Sequence, residues 1–206
     1  MDCRQTLPWD YFRLARREVY MRFNLFIGVC MIVFGGAANV PLPSVAQSTK
    51  ATEPTSLILA KNEGERREFR TRPGTFFTLK VDPKNGGSEH MIVIAEDMAP
   101  GDRIPTHRHP DADELIIIHI GTARVTLGDK VQEAHAGSIV FIPKGTWIGL
   151  ENIGKGQLTS TGVLSAPGYE EYLRAISVPE GKPIVPLSKA ELDEIRKRHS
   201  HDAIYQ

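Results

Sequence analysis

The sequence predicts a mainly β domain, a sandwich or barrel, followed by a short helical extension. Between residues 57 and 166, short apolar or alternating runs are separated by Gly, Pro, Asn and Asp. Runs that recur at roughly 8–12-residue spacing with turn residues between them are typical of such folds. The 167–206 segment changes to helical spacing.

The runs give the candidate strands, and a turn joins two of them. Residues Leu127 to Val131 enclose Gly128-Asp129, which is typical of a tight hairpin. The predicted strands are 56–60, 75–81, 89–96, 114–120, 123–127, 138–142, 147–150 and 158–164.

Two helices are predicted in the C-terminal segment. The first follows Pro167 and places Tyr169 and Tyr172 on one face, where we expect them to pack against the barrel. The second begins at Ser188, which forms a capping box with Glu191, and extends to about residue 199.

Residues 1–46 have the pattern of a secretory signal peptide. An apolar run over 25–38 precedes the small residues Ser44 and Ala46, which predicts cleavage between Ala46 and Gln47. The start at Met21 is favoured over a long basic region before the apolar run, and an uncleaved anchor is the alternative. Residues 47–56 are expected to form a flexible arm, so the domain prediction is barrel 57–166 and tail 167–206.

Composition excludes several classes of protein. Lys and Arg total 25 and Asp and Glu total 25, and 41% of residues are hydrophobic, which argues against disorder and against nucleic-acid binding. Both cysteines, Cys3 and Cys30, lie in the leader. We therefore expect a thiol-free periplasmic or secreted protein without a stable membrane span after cleavage.

One cluster of side chains predicts a metal site. His107 and His109 are two residues apart, so an extended strand directs both imidazoles to one side. Glu114 follows a turn and begins the next strand. Two imidazoles and a carboxylate suit a divalent transition metal and leave positions open for water or substrate; iron or manganese is favoured, with zinc, cobalt or nickel as alternatives.

The spacing around these residues resembles the first cupin motif. Gly101, His107, His109, Glu114 and Gly121 occupy its fixed positions. The resemblance implies an antiparallel β-barrel of the jelly-roll type, with a ligand pocket inside the barrel and these three side chains as metal ligands.

The second cupin motif is also present with one departure. Gly137, Pro143, Gly145 and Asn152 match it, but Ile148 stands where the fourth ligand, a histidine, is expected. By strand parity Ile148 faces into the barrel. Two interpretations follow: a metal held by three protein ligands, or a degenerate site that is usually empty.

Fold does not settle function in a family that includes dioxygenases, isomerases, decarboxylases and metal-free binding proteins. The first hypothesis is an exported metal-dependent oxygenase or isomerase acting on a small organic molecule, with no evident catalytic base in the sequence. The alternative is a non-catalytic protein that binds a small molecule. The resemblance also implies a possible homodimer.

Four other polar residues near the motifs could in principle be ligands. Strand parity turns His119 away from the site, and the cupin spacing favours Glu114 over Asp113, which then faces outward. His135 is expected in a solvated turn. His90 begins an earlier strand and stays open as a replacement ligand.

Overall fold

The computed structural model describes residues 53–206. The predicted leader, its cleavage site and both cysteines lie outside these residues. In chain order the elements are β1 (Glu65–Phe69), β2 (Phe76–Val81), β3 (Ile92–Met98), β4 (Arg103–Arg108), β5 (Glu114–Ile120), β6 (Thr122–Leu127), β7 (Lys130–His135), β8 (Ile139–Ile142), β9 (Ile148–Asn152), β10 (Leu158–Leu164), α1 (Tyr169–Ala175), β11 (Ser177–Pro179), α2 (Lys189–Arg198) and β12 (Ile204–Tyr205).

These strands form two antiparallel sheets in a jelly roll, as the sequence predicts. One sheet has the order β11-β1-β2-β3-β10-β5-β8 and the other β12-β4-β9-β6-β7. Strand β5, which carries Glu114, belongs to the first sheet, and β4, which carries His107 and ends one residue before His109, belongs to the second. The candidate ligands therefore approach the interior from opposite sheets. No helix within 53–206 is long and apolar enough to cross a membrane.

Apolar alternation located most of the barrel strands. The predicted strands 114–120 and 158–164 coincide with β5 and β10. The hairpin is confirmed, because β6 pairs with β7 across Gly128, whose φ of 57° falls in the left-handed region. The strand predicted over 56–60 is wrong: this segment pairs with no strand, and Ile58 is 97% exposed.

The C-terminal segment is integrated with the barrel. The predicted capping box is confirmed, since the Ser188 hydroxyl accepts from the Glu191 amide and the Glu191 carboxylate accepts from the Ser188 amide. Helices α1 and α2 contribute Leu173 and Ile195 to a core shared with β1, β2 and β3. Strand β11 pairs with β1 and β12 pairs with β4, so this segment adds strands as well as helices.

Candidate metal centre

A β-bulge in β4 directs side chains toward the barrel interior. In the pairing with β9, Ile104 lies opposite Leu150 and His107 lies opposite Ile148, so three residue steps face two. Pro105 lies inside the bulge, where its missing N–H removes no ladder hydrogen bond. As a result, the side chains of Ile104 and His107 line the same cavity. Bulges often change the direction of side chains in this way next to functional sites.

The structure brings the three predicted ligands together in this interior. His107, His109 and Glu114 are 3%, 2% and 8% exposed. Their available nitrogen and oxygen atoms all lie within 4.8 Å of one another, and His109 Nε2 is 3.7 Å from Glu114 Oε2. This group could therefore hold a metal ion, as the sequence predicts.

Backbone carbonyls orient both imidazoles. The Nδ1 of His107 is 2.8 Å from the Pro105 carbonyl, and the Nδ1 of His109 is 2.7 Å from the Asp202 carbonyl. Because a carbonyl only accepts, each Nδ1 carries the proton and each Nε2 keeps its lone pair. The Nε2 atoms are thus the ones available to a metal.

The position of Asp202 depends on a glycine at the start of α1. Gly168 has a φ of 131°, and a Cβ added there would lie 2.1 Å from the Asp202 Oδ1. Any side chain at this position would displace the Asp202 carboxylate, which belongs to the residue whose carbonyl orients His109. Sequence analysis did not identify Asp202, because 93 residues separate it from His109.

Unpaired buried atoms show that a metal fits the three side chains. Among the described residues, His109 Nε2 and Glu114 Oε2 are buried and have no hydrogen-bond partner. Burial, together with His109, lowers the pKa of His107 to about 3, so its imidazole is neutral at physiological pH. Neutral nitrogen and carboxylate oxygen donors are what Fe, Mn and Zn ions require.

A second carboxyl group, which sequence analysis missed, faces the same cavity. Glu96 of β3 lines the roughly 30 Å³ space beside His107 and Glu114, which is room for about one or two water-sized groups. Its carboxylate takes part in no hydrogen bond or ion pair among residues 53–206. The signal was available: Ile92, Ile94 and Met98 occupy the other inward positions of the strand, so Glu96 interrupts an apolar series.

The structure also locates the other residues that the sequence singled out in this region. Ile148 is 1% exposed and lines the cavity, so it does face into the barrel beside the ligands. Tyr169 packs edge-on against His109, at 4.6 Å between ring centroids, and also lines the cavity. His90 is exposed and is no replacement ligand, and His119 is exposed and bonded to Thr161.

Metal binding should release a proton from Glu114. Burial and the nearby charge of Glu96 raise the pKa of Glu114 to about 8, so the metal-free carboxyl is mostly protonated at pH 7. Since only the carboxylate binds a metal, affinity should rise with pH up to about 8. Titration calorimetry in buffers of different ionisation enthalpy should find about one proton released at pH 6.5 and almost none at pH 9.5.

The variant Glu114→Gln provides the control for this measurement. It removes the titrating group, so its weaker metal binding should release no proton at either pH. A wild-type proton count that stays the same from pH 6.5 to 9.5 would contradict the assignment of Glu114 as the protonated ligand.

Several solved structures are similar to part of this chain. Solved structures similar to the chain include KdgF from Halomonas sp. (14% identity, 56% of this chain and 99% of that chain, TM-score 0.48). A sugar phosphate isomerase of the cupin superfamily from Silicibacter pomeroyi has 19% identity, with 54% and 77% covered and a TM-score of 0.48. A predicted oxalate decarboxylase from Thermotoga maritima has 18% identity, with 54% and 100% covered and a TM-score of 0.48.

No curated protein matches the chain significantly. Residues 95–161 match the cupin domain family model, and all three candidate ligands and Glu96 lie within them. The similarity to the cupin domain thus covers the part of the jelly roll that holds the candidate site.

Proposed function

We propose that the protein is a metal-dependent enzyme that moves a proton within a small organic molecule, an isomerase-type reaction. The observation that carries this proposal is the cluster of His107, His109 and Glu114 beside a small cavity that His107, Glu114 and the unpaired carboxyl group of Glu96 line. A pocket that only binds a neutral ligand has no need of an additional unpaired carboxyl group, which is costly to bury.

The three ligands and Glu96 have separate roles in the proposed reaction. A divalent transition metal held by the ligands would act as a Lewis acid on a carbonyl or hydroxyl oxygen of the substrate. Glu96 removes a proton from the carbon next to the substrate carbonyl and returns it to the neighbouring atom of the same molecule. Burial raises the pKa of Glu96, and the nearby charge of Arg72 offsets only part of this rise. The raised pKa is closer to the range that is useful for proton transfer at neutral pH.

Apolar side chains protect this chemistry from water. Ile94, Ile116, Ile148 and Leu150 line the cavity around the polar groups. In a site with little water, interactions between charged groups are stronger than in solution. Ile148 thus contributes apolar surface to the cavity. Because its side chain has no donor atom, the fourth ligand position would stay open to substrate.

Hydrogen–deuterium exchange tests the proposal without knowledge of the product. Metal-loaded protein is incubated in D2O with pyruvate, glyceraldehyde or dihydroxyacetone, and loss of the C–H signal next to the carbonyl is followed by NMR. We expect catalysed exchange that Glu96→Gln slows by ~10²-fold or more while metal content stays unchanged. The matched control is Asp97→Asn, since Asp97 is the next residue on β3, does not line the cavity, and bonds instead to Thr159 and pairs with Arg66.

Three outcomes would contradict the proposal. Exchange by Glu96→Gln at the wild-type rate would exclude Glu96 as the proton-transfer group. Metal-dependent oxygen consumption without exchange would favour an oxygenase. Stoichiometric metal without any exchange or turnover would favour the non-catalytic binding protein, the function that the Ile148 substitution supports.

A further inference from the structure

A second cavity adjoins the metal centre beneath the C-terminal segment. Its volume is about 250 Å³, just below the ~300–1,000 Å³ of pockets that take drug-sized ligands. Glu96, Ile104 and Tyr169 line both this cavity and the small space at the ligands. The larger cavity is therefore placed to hold the body of a small molecule whose reacting end lies at the metal.

The walls of this cavity are mostly apolar and aromatic, and their charged residues are Glu96 and two arginines. Arg72 is already engaged, since its guanidinium bonds to the Asp102 carboxylate at 3.2 Å and to the Arg103 carbonyl at 2.8 Å. The second arginine, Arg196, comes from helix α2.

The guanidinium of Arg196 forms no ion pair with any of the described residues. Among the described residues no carboxylate lies within 4.0 Å of its guanidinium, and its buried Nε has no hydrogen-bond partner. The guanidinium carbon lies 4.5 Å from the centre of the Tyr205 ring, which holds the group flat against the cavity wall. A planar guanidinium with free N–H donors binds a carboxylate through two parallel hydrogen bonds.

From this geometry we infer that the larger cavity binds a small carboxylic acid, with its carboxylate on Arg196 and its remaining atoms directed past Tyr169 toward the metal centre. This inference rests on the proposed function and names the substrate class. One unpaired guanidinium balances one negative charge, whereas a phosphate dianion would add charge to a cavity that Glu96 also lines. A monocarboxylate is therefore favoured over a phosphate ester.

Binding is measured by calorimetry with benzoate and pyruvate, each beside its neutral amide, benzamide or pyruvamide, and with inorganic phosphate. The protein used is the His107→Ala variant, so that a bound metal cannot hold the anion. We expect both carboxylates to bind, both amides to bind at least tenfold more weakly, and phosphate not to compete.

Arg196→Met in the same background should weaken carboxylate binding tenfold or more, and Arg196→Lys should have an intermediate effect. The matched control, Arg198→Met, lies on the same helix and is exposed, so it should bind as the parent does. If Arg196→Met alters the melting temperature, the milder Arg196→Lys provides the comparison.

The inference is overturned if the parent protein binds neither carboxylate, if the amides bind equally well, or if Arg196→Met and Arg196→Lys both leave affinity unchanged. These results are independent of the metal and of Glu96. Failure of the exchange experiment with intact carboxylate binding would therefore reject the isomerase proposal alone, and the reverse pattern would reject only the carboxylate site.

Discussion

Purified wild-type protein should contain near-stoichiometric transition metal, and His107→Ala should contain none. His107 offers one of three ligand atoms, and its neutral imidazole is held in place by the Pro105 carbonyl. Loss of a partner that only orients a ligand costs ~10–100-fold in affinity, so loss of the ligand itself should cost more. Elemental analysis after purification without chelator or added metal provides the measurement.

Two further variants complete this experiment, one a matched control and the other a variant that adds a ligand. His119→Ala removes an exposed histidine of β5 that bonds to Thr161, so metal content should not change. Ile148→His places an imidazole opposite His107 in the β4–β9 pair and should raise metal affinity substantially, while Ile148→Val should not. An unchanged affinity in Ile148→His would mean that the other three side chains do not converge on one ion.

Arg174→Met should destabilise the fold by roughly 3 kcal/mol, because it leaves the buried Asp82 carboxylate without its cation. The Arg174 guanidinium is 2.6 Å from a Glu65 carboxylate oxygen and 2.5 Å from one of Asp82, whose side chain is 0% exposed. Burial alone would raise the pKa of Glu65, but the hydrogen bonds from Arg174 and Arg67 hold it below its usual value. Such removal of one partner from a buried ion pair is far more costly than loss of a surface pair.

Urea unfolding followed by circular dichroism measures the change, and the melting temperature should fall by ~6–12 °C. The control is Lys84→Met, which breaks the exposed pair with Glu171 and should cost ~1 kcal/mol or less. Adding Asp82→Asn to Arg174→Met should restore part of the loss, since the uncompensated charge is gone. Equal, small effects of Arg174→Met and Lys84→Met would show that the buried pair does not stabilise this fold.

The sequence predicted the strands that are rich in apolar residues and carry few charged ones. β5 buries Ile116 and Ile118 in alternation, and β10 runs between the buried Leu158 and Leu164 without a charged residue, so their sequences alone locate them. β1 carries four charged residues in five and shows no such pattern; Arg174 and Ser177 from the distant C-terminal segment satisfy its side chains. The 56–60 run has the opposite property, since it is apolar but pairs with no strand.

The candidate ligands were predictable because their spacing is local, while their surroundings were not. Strand parity alone places His107 and His109 on one side. Glu96 stands out in the sequence as a break in the apolar series of β3, but its relation to the ligands depends on the pairing of β3 with β10 and of β10 with β5, which places it in the same sheet as Glu114. Arg196 reaches the cavity only through the docking of α2, which no periodicity in the chain specifies.

The hydrogen bond from His109 to the Asp202 carbonyl has a consequence for the order of events in folding. The three ligands occupy eight consecutive residues, yet this bond joins positions 93 residues apart. Contacts of such high sequence separation are slow to form. In zinc fingers, by contrast, the metal drives folding from local ligands. The Asp202 carbonyl reaches His109 only after the C-terminal segment has docked. We therefore expect full metal affinity to arise late in folding, with weaker binding before that segment docks.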